Sequence, residues 1–186
     1  MSIIRLRECH SVPWKNGMGR TRELAIHPAG ARTDDFIWRV SVAEVDSASP
    51  FSAFPGIDRH IALLEGAGFT MTLDDGRVHE LTTPLTPFAF PGEAHVSVSL
   101  TNGPTRDFNL MIRRERARGE LVVWEGPCRQ VVDDAVALIF CVQGHVDTSE
   151  GRLQPGEAWL PVRQTDRVTL DLHALALVAR VEVRGN

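Results

Sequence analysis

Apolar residues in this chain recur at every second position, and no segment sustains a 3.6-residue period over three turns. In the stretch 36–43, Phe36, Trp38, Val40 and Val42 form one face while Ile37, Arg39, Ser41 and Ala43 form the other. That is the pattern of a β-strand with a core on one side. The same alternation predicts strands over 23–27, 60–64, 69–73, 78–81, 87–90, 96–100, 108–112 and 121–124, then 135–142, 158–160, 168–172 and 175–183. Turn dipeptides punctuate them: Pro55-Gly56, Asp75-Gly76, Pro91-Gly92, Asn102-Gly103, Gly126-Pro127 and Pro155-Gly156. The best helical candidate is Arg114–Glu120, which is short and highly charged. The chain reads as all-β with little helix.

The strands are also duplicated. Ala62-Leu63-Leu64-Glu65-Gly66 is echoed by Phe140-Cys141-Val142-Gln143-Gly144, and Phe88-Ala89-Phe90-Pro91 by Ala158-Trp159-Leu160-Pro161. The stretch 94–100 is echoed by 166–172, with several residues lost from the hairpin in the second copy. An apolar strand, a glycine turn, a hairpin, a Pro-ended strand and a return strand make the rhythm of a jelly roll. Two such β-sandwich or barrel units suggest a bicupin, with residues 1–125 as the first unit and 126–186 as a second, degenerate one.

Composition excludes several function classes. The 186 residues carry 20 Lys+Arg against 24 Asp+Glu, a net charge of −4, which argues against a nucleic-acid binder; the only dense basic run, Arg113–Arg118, is interrupted by Glu115. A hydrophobic content of 43% suits a packed core, yet no apolar run reaches the roughly 18 residues of a membrane span. The first eight residues already carry charges and lack the apolar core of a secretion signal, so we expect a soluble cytoplasmic protein. Cys9, Cys128 and Cys141 show neither disulfide nor zinc spacing.

Metal-binding cupins carry His-x-His followed by Glu, and a later His. Neither half has that pattern; His60, Glu65 and His95 are fragments of it, so no metal and no other cofactor are expected. Nucleophile-elbow, Walker and zincin motifs are also absent from the sequence.

The informative polar residues lie in the amino-terminal half. Lys15 is the only lysine among 20 basic residues, and it sits in Pro13-Trp14-Lys15-Asn16-Gly17-Met18-Gly19, whose glycines read as a tight turn. Arg39 and Ser41 share a strand face with Ile37 and Ala43, a face that is either solvent or an apolar-walled interior. Arg59 emerges from a Pro-rich loop whose Phe51 and Phe54 either plug the end of the sandwich or wall a ligand.

These blocks resemble a known family. Pro13-Trp14-Lys15-Asn16-Gly17-Met18-Gly19-Arg20-Thr21-Arg22-Glu23 is similar to the Pro-Trp-Lys-Asn-Gly-Gly-Gly-x-Thr-Arg-Glu signature of the HutD/Ves family. Phe36-x-Trp38-Arg39-x-Ser41-x-Ala43 with Pro50-Phe51-Ser52-x-Phe54-Pro55-Gly56-x-Asp58-Arg59 resembles its second block. Thr105-Arg106-Asp107-Phe108-Asn109-Leu110-Met111-x-Arg113 resembles its third. Met18 replaces the middle glycine, and methionine disfavours positive φ. The resemblance implies a homodimeric bicupin associated with histidine utilisation, a binder that modulates the pathway, with N-formylglutamate or urocanate as suggested ligands.

The leading reading is therefore a regulatory protein that binds a small carboxylate metabolite. Lys15, Arg39 and Arg59 would supply charge, Trp14 and Phe54 apolar walls, and Asn16, Ser41 and Asn109 neutral hydrogen bonds. If Asp58, Asp107 and Glu23 neutralise all three cations, the cluster is instead a structural staple. The alternatives are a metal-independent isomerase or hydrolase, with Lys15 as base and His60 or Asp107 assisting, and a protein-interaction module.

Overall fold

A computed structural model describes residues 3–161 and 166–185. The first strands are β1 (Ile3–Arg5), β2 (Ser11–Pro13), β3 (Gly19–His27), β4 (Trp38–Val45), β5 (Ile57–Glu65) and β6 (Phe69–Leu73). They are followed by β7 (Val78–Leu81), β8 (Phe88–Pro91), β9 (Val96–Leu100), β10 (Thr105–Arg113), β11 (Ala117–Glu125) and β12 (Cys128–Val131). The last are β13 (Val136–Gln143), β14 (Val146–Thr148), β15 (Gly151–Leu153), β16 (Glu157–Trp159), β17 (Arg167–Leu170) and β18 (Leu175–Val183). One 3-10 turn, Leu6–Glu8, is the only helical element among the described residues. None of their helices is long and apolar enough to cross a membrane.

The expected strands form, and the short β1, β2, β12, β14 and β15 are additional. The helical expectation for Arg114–Glu120 is not met. Arg116 N donates to Arg113 O at 2.9 Å to close a tight turn, after which the chain extends as β11. Arg114 is drawn out of any helical register by Asp58 and Glu93, to which its guanidinium donates at 2.7 and 2.9 Å.

The chain divides into two units, His10–Ala117 and a second made of Met1–Cys9 with Arg118–Asn186. The sequence reading of 1–125 against 126–186 differs in where it puts residues 1–9 and 118–125. They join the later unit because β1 pairs with β16, Ile3 opposite Trp159, and β11 is the edge strand beside β18.

In the unit His10–Ala117 a six-stranded sheet, β2-β3-β4-β10-β5-β8, faces a three-stranded sheet, β7-β6-β9. The core between them joins Val45, Ile61, Leu63 and Phe90 of the first sheet to Phe69, Met71, Leu73, Val96 and Val98 of the second. In the other unit the sheets are β1-β16-β13-β18-β11 and β12-β17-β14-β15. Ile139, Cys141, Trp159 and Val178 there meet Val146, Leu153, Val168 and Leu170. The order β4-β10-β5-β8 thus repeats as β11-β18-β13-β16, and β7-β6-β9 as β15-β14-β17. The strands β5 and β13 both end at a glycine with positive φ, Gly66 at 95° and Gly144 at 66°. The duplicated jelly roll is a bicupin fold.

Candidate functional site

The site begins with the alternation of β10. Thr105, Asp107, Asn109 and Met111 lie on one face, and Phe108, Leu110 and Ile112, all fully buried, lie on the other. Directly opposed residues of antiparallel strands share a sheet face, so the register extends the first set sideways. Asn109 stands opposite Ser41 and Ile61, Asp107 opposite Ala43 and Leu63, and Met111 opposite Arg39 and Arg59. Arg59 in turn faces Phe90, and Ser41 faces Glu23. Because Ile61, Leu63 and Phe90 belong to the core between the sheets, this is the inner face of the jelly roll. Arg39 and Ser41 therefore lie on an interior face, the second of the two options the sequence left open.

Polar residues accumulate on this face at a depth where they are costly unless paired. Asp107 is 1% exposed, Asn109 4%, Ser41 4% and Arg59 7%. Arg59 Nη2 donates to Asn109 Oδ1 at 3.2 Å, and Asn109 Nδ2 donates to Asp107 Oδ1. The guanidinium also lies over three phenyl rings, 4.9 Å from the centroid of Phe90, 5.1 Å from Phe51 and 5.6 Å from Phe54. Two atoms of the cluster, Arg59 Nε and Asp107 Oδ2, are buried without a hydrogen-bond partner. Burial pushes the Asp107 carboxyl up to about 7, against the Asn109 hydrogen bond and the charge of Arg59. Burial likewise lowers Arg59 to about 10, opposed by Asp107 and reinforced by the charge of Arg39.

The expected cations have different partners. Arg39 Nε donates to Glu23 Oε2 at 2.7 Å and is neutralised there. Asp58 cannot serve Arg59, because successive strand residues point to opposite faces; it pairs with Arg114. Among the described residues Arg59 therefore has no carboxylate in direct contact. Lys15 lies on the exposed turn between β2 and β3, and its ammonium has no ion-pair partner among the described residues.

That turn is built by its neighbours. Gly17, with φ at 71°, donates its N–H to Trp14 O at 3.0 Å, and Trp14 N donates to Gly19 O at 2.9 Å. A Cβ at Gly19 would come within 2.5 Å of Glu44 O and 3.0 Å of the Trp14 ring. Asn16 is occupied in the loop, its Nδ2 donating to Ser49 Oγ at 2.6 Å and its Oδ1 accepting from Met18 N at 3.0 Å. Trp14 Nε1 donates to Thr21 Oγ1 at 2.8 Å, and Trp14, like Phe51, packs against the core that includes Phe90. Met18 does not need positive φ. Among the described non-glycine residues only Leu85 and His173 adopt it.

The structure thus gathers Arg39, Ser41, Arg59 and Asn109 on one inner face with Phe54 against Arg59, and it uses Trp14 and Asn16 to shape the adjoining loop. Sequence reasoning placed Phe51 only as a plug or ligand wall, missed Phe90 as a ring partner of Arg59, and gave Asp107 the roles of counter-charge or catalytic assistant rather than member of the binding cluster. The period-two pattern Thr105-Asp107-Asn109-Met111 was the available signal for Asp107. His60 stands opposite Leu110 and Ala89, on the face away from Arg59. No group of three or more His, Cys, Asp or Glu side chains among the described residues could hold a metal ion.

Among the described residues the core of the other unit has no counterpart of this buried polar cluster. Aligning the turn glycines matches Leu63 to Cys141 and Ile61 to Ile139, and their partners on β18 are Ala176 and Val178 where β10 has Asp107 and Asn109. All described buried polar side chains, Ser41, Ser49, Arg59, Thr105, Asp107 and Asn109, fall within 10–117.

Two jelly rolls in one chain, of which the unit His10–Ala117 holds the buried polar cluster of the described residues, define a cupin-class protein. The chain belongs to the HutD family, whose model matches residues 7–183. It is 36% identical over 149 residues to an uncharacterized 21.2 kDa protein in the hutC 3′ region of Pseudomonas putida, covering 80% of this chain and 77% of that one. It is similar to the Ves protein of Cronobacter sakazakii, 40% identical over 111 residues and 59% of each chain. The solved structure of HutD from Pseudomonas fluorescens SBW25 superposes with a TM-score of 0.87 at 32% identity, covering 99% of both chains. A cupin 2 barrel protein from Leptotrichia buccalis shares the fold at a TM-score of 0.63 and 9% identity, over 97% of this chain and 96% of that one.

Proposed function

We propose that the unit His10–Ala117 binds a small carboxylate metabolite, and that this binding modulates histidine utilisation. One observation carries the reading: Arg59 is buried, has no carboxylate in direct contact among the described residues, and keeps its Nε without an acceptor. A guanidinium in that state is complemented by an anion, and arginine suits a carboxylate. The phenyl rings of Phe51, Phe54 and Phe90 favour the cation and keep water from competing. The name of the P. putida relative, a protein in the hutC 3′ region, supports the pathway part of the reading. N-formylglutamate, with two carboxylates and a formamide, fits Arg59 and the unpaired Lys15 better than urocanate with its one carboxylate. In titration calorimetry the wild type binds N-formylglutamate, and a folded Arg59→Ala variant loses about thirtyfold or more in affinity, the usual cost of removing one charge partner. Equal affinity in the folded variant refutes the reading.

Asp107 favours a second reading. A buried carboxyl held near 7 is suited to general acid–base work, which would make the same site an isomerase or hydrolase. Incubation with N-formylglutamate followed by proton NMR separates the two: an unchanged spectrum leaves binding, and released formate establishes turnover.

A further inference from the structure

We propose that Asp107 couples the binding of an anion at Arg59 to the uptake of one proton, so that the site accepts its carboxylate only together with that proton. The inference rests on the carboxylate reading above and adds a specificity-determining residue and a mode of regulation to the same site.

The argument starts from the two unpaired atoms. Arg59 Nε is a donor without an acceptor, and Asp107 Oδ2 is an oxygen without any partner. The amide of Asn109 lies between their side chains, its Oδ1 taken by Arg59 and its Nδ2 given to Asp107 Oδ1. Because Oδ1 accepts from Asn109, it carries no proton, and Oδ2 is the atom free to bear one. A carboxylate has two acceptor oxygens. If Asp107 is protonated at Oδ2, Arg59 Nε–H and Asp107 Oδ2–H are two unspent donors on one inner face, the complement of a carboxylate's two acceptor oxygens.

Charge leads to the same conclusion. Arg39 is balanced by Glu23, so within the cluster Arg59 and Asp107 make one cation and one anion. Adding a carboxylate to an ionised Asp107 leaves a net negative charge among buried side chains, which is costly. Adding it with a proton leaves the assembly neutral. Few other groups compete. On its own face Asp107 stands opposite Ala43 and Leu63, feels the charge of Arg59 from β5, and has Arg39 of β4, paired with Glu23 of β3, two positions further along beside Met111. The facing sheet brings Phe69, Met71, Leu73, Val96 and Val98, which do not titrate, and, opposite Met71, His79, an imidazole stacked on Phe88 that burial pushes below its ordinary value. The upward displacement of Asp107 to about 7 already puts its proton within reach at neutral pH, and a bound anion raises it further. The proton comes from solvent and ends on Asp107 Oδ2; no bond of the ligand changes.

The test is calorimetry on the full chain with N-formylglutamate, whose carboxylates stay ionised above about pH 6. Near pH 7.5, titrations in buffers of low and high ionisation enthalpy should differ by the heat of up to one proton taken from the buffer per ligand bound. The affinity should fall as pH rises above about 7, approaching tenfold per pH unit. Asp107→Asn should still bind, with no buffer dependence and a flat pH profile. Wild-type binding with no proton uptake, or with proton release, overturns the inference while leaving the carboxylate reading intact. Uptake that persists in Asp107→Asn also overturns it. Absence of binding to the wild type defeats the carboxylate reading and this inference with it. The wild-type buffer comparison stands even if the variant does not fold.

Discussion

Arg59 on β5 and Asp107 on the neighbouring β10 carry opposite charges inside the same sandwich, yet they are joined only through the amide of Asn109. A direct buried ion pair would have closed the cluster on itself. The inserted amide leaves one donor and one acceptor open, and the predictions below follow from that and from the scaffold around it.

Arg59→Met should abolish carboxylate binding and lower thermal stability by about 1–3 kcal/mol. Methionine keeps an apolar stem beside Phe51, Phe54 and Phe90, but it leaves the buried Asn109 Oδ1 without its donor and Asp107 without its neighbouring cation. Thermal denaturation with and without ligand checks this, and a variant as stable as wild type would contradict it.

Stability of the unliganded protein should fall between about pH 4 and pH 7. The folded carboxyl of Asp107 sits near 7 against about 3.9 unfolded, so across this window the folded state holds the extra proton. The contribution is harmless below the unfolded value, grows by up to about 1.4 kcal/mol per pH unit, and is complete above 7. Denaturant melts of wild type and Asp107→Asn at several pH values should converge at low pH and separate as pH rises.

Arg114→Ala should cost no more than about 1 kcal/mol and leave ligand affinity unchanged. Its partners Asp58 and Glu93 are 42% and 45% exposed, so solvent screens both pairs. Chemical denaturation together with calorimetry measures both effects, and a loss of affinity would tie this surface triad to the site.

In the β2–β3 turn, Gly19→Ala should destabilise more than Gly17→Ala. The first places a methyl against the Glu44 carbonyl and the Trp14 ring; the second meets open space and bears only the strain of φ at 71°, about 1 kcal/mol. Met18→Gly should gain nothing, since that residue needs no left-handed backbone. Melting temperatures of the three variants rank them directly.

The strand pattern, the duplication and the glycine turn were legible because each is written in local spacing. Depth was not. In β10 both faces are buried, so the alternation of Asp107 and Asn109 with Phe108 and Leu110 could not say which face was the interior. Asp58 looked like a partner for Arg59 because the two are adjacent in sequence, whereas strand geometry sends them to opposite faces. The charged stretch after Arg113 read as helix because its tight turn depends on Asp58 and Glu93, residues 56 and 21 positions away from Arg114. The three rings around Arg59 come from two segments that no local spacing relates.

The pairing of Ile3 with Trp159 imposes an order on assembly during synthesis. Strands β2 to β10 can close their sandwich once residue 117 has left the ribosome. β1, made before any of them, must wait unpaired until β16 emerges more than 150 residues later. A cut or a bulky fusion at residues 3–5 would therefore injure the unit that is completed last, while the one that carries Arg59 and Asp107, whose strands begin only a few residues downstream, would assemble undisturbed.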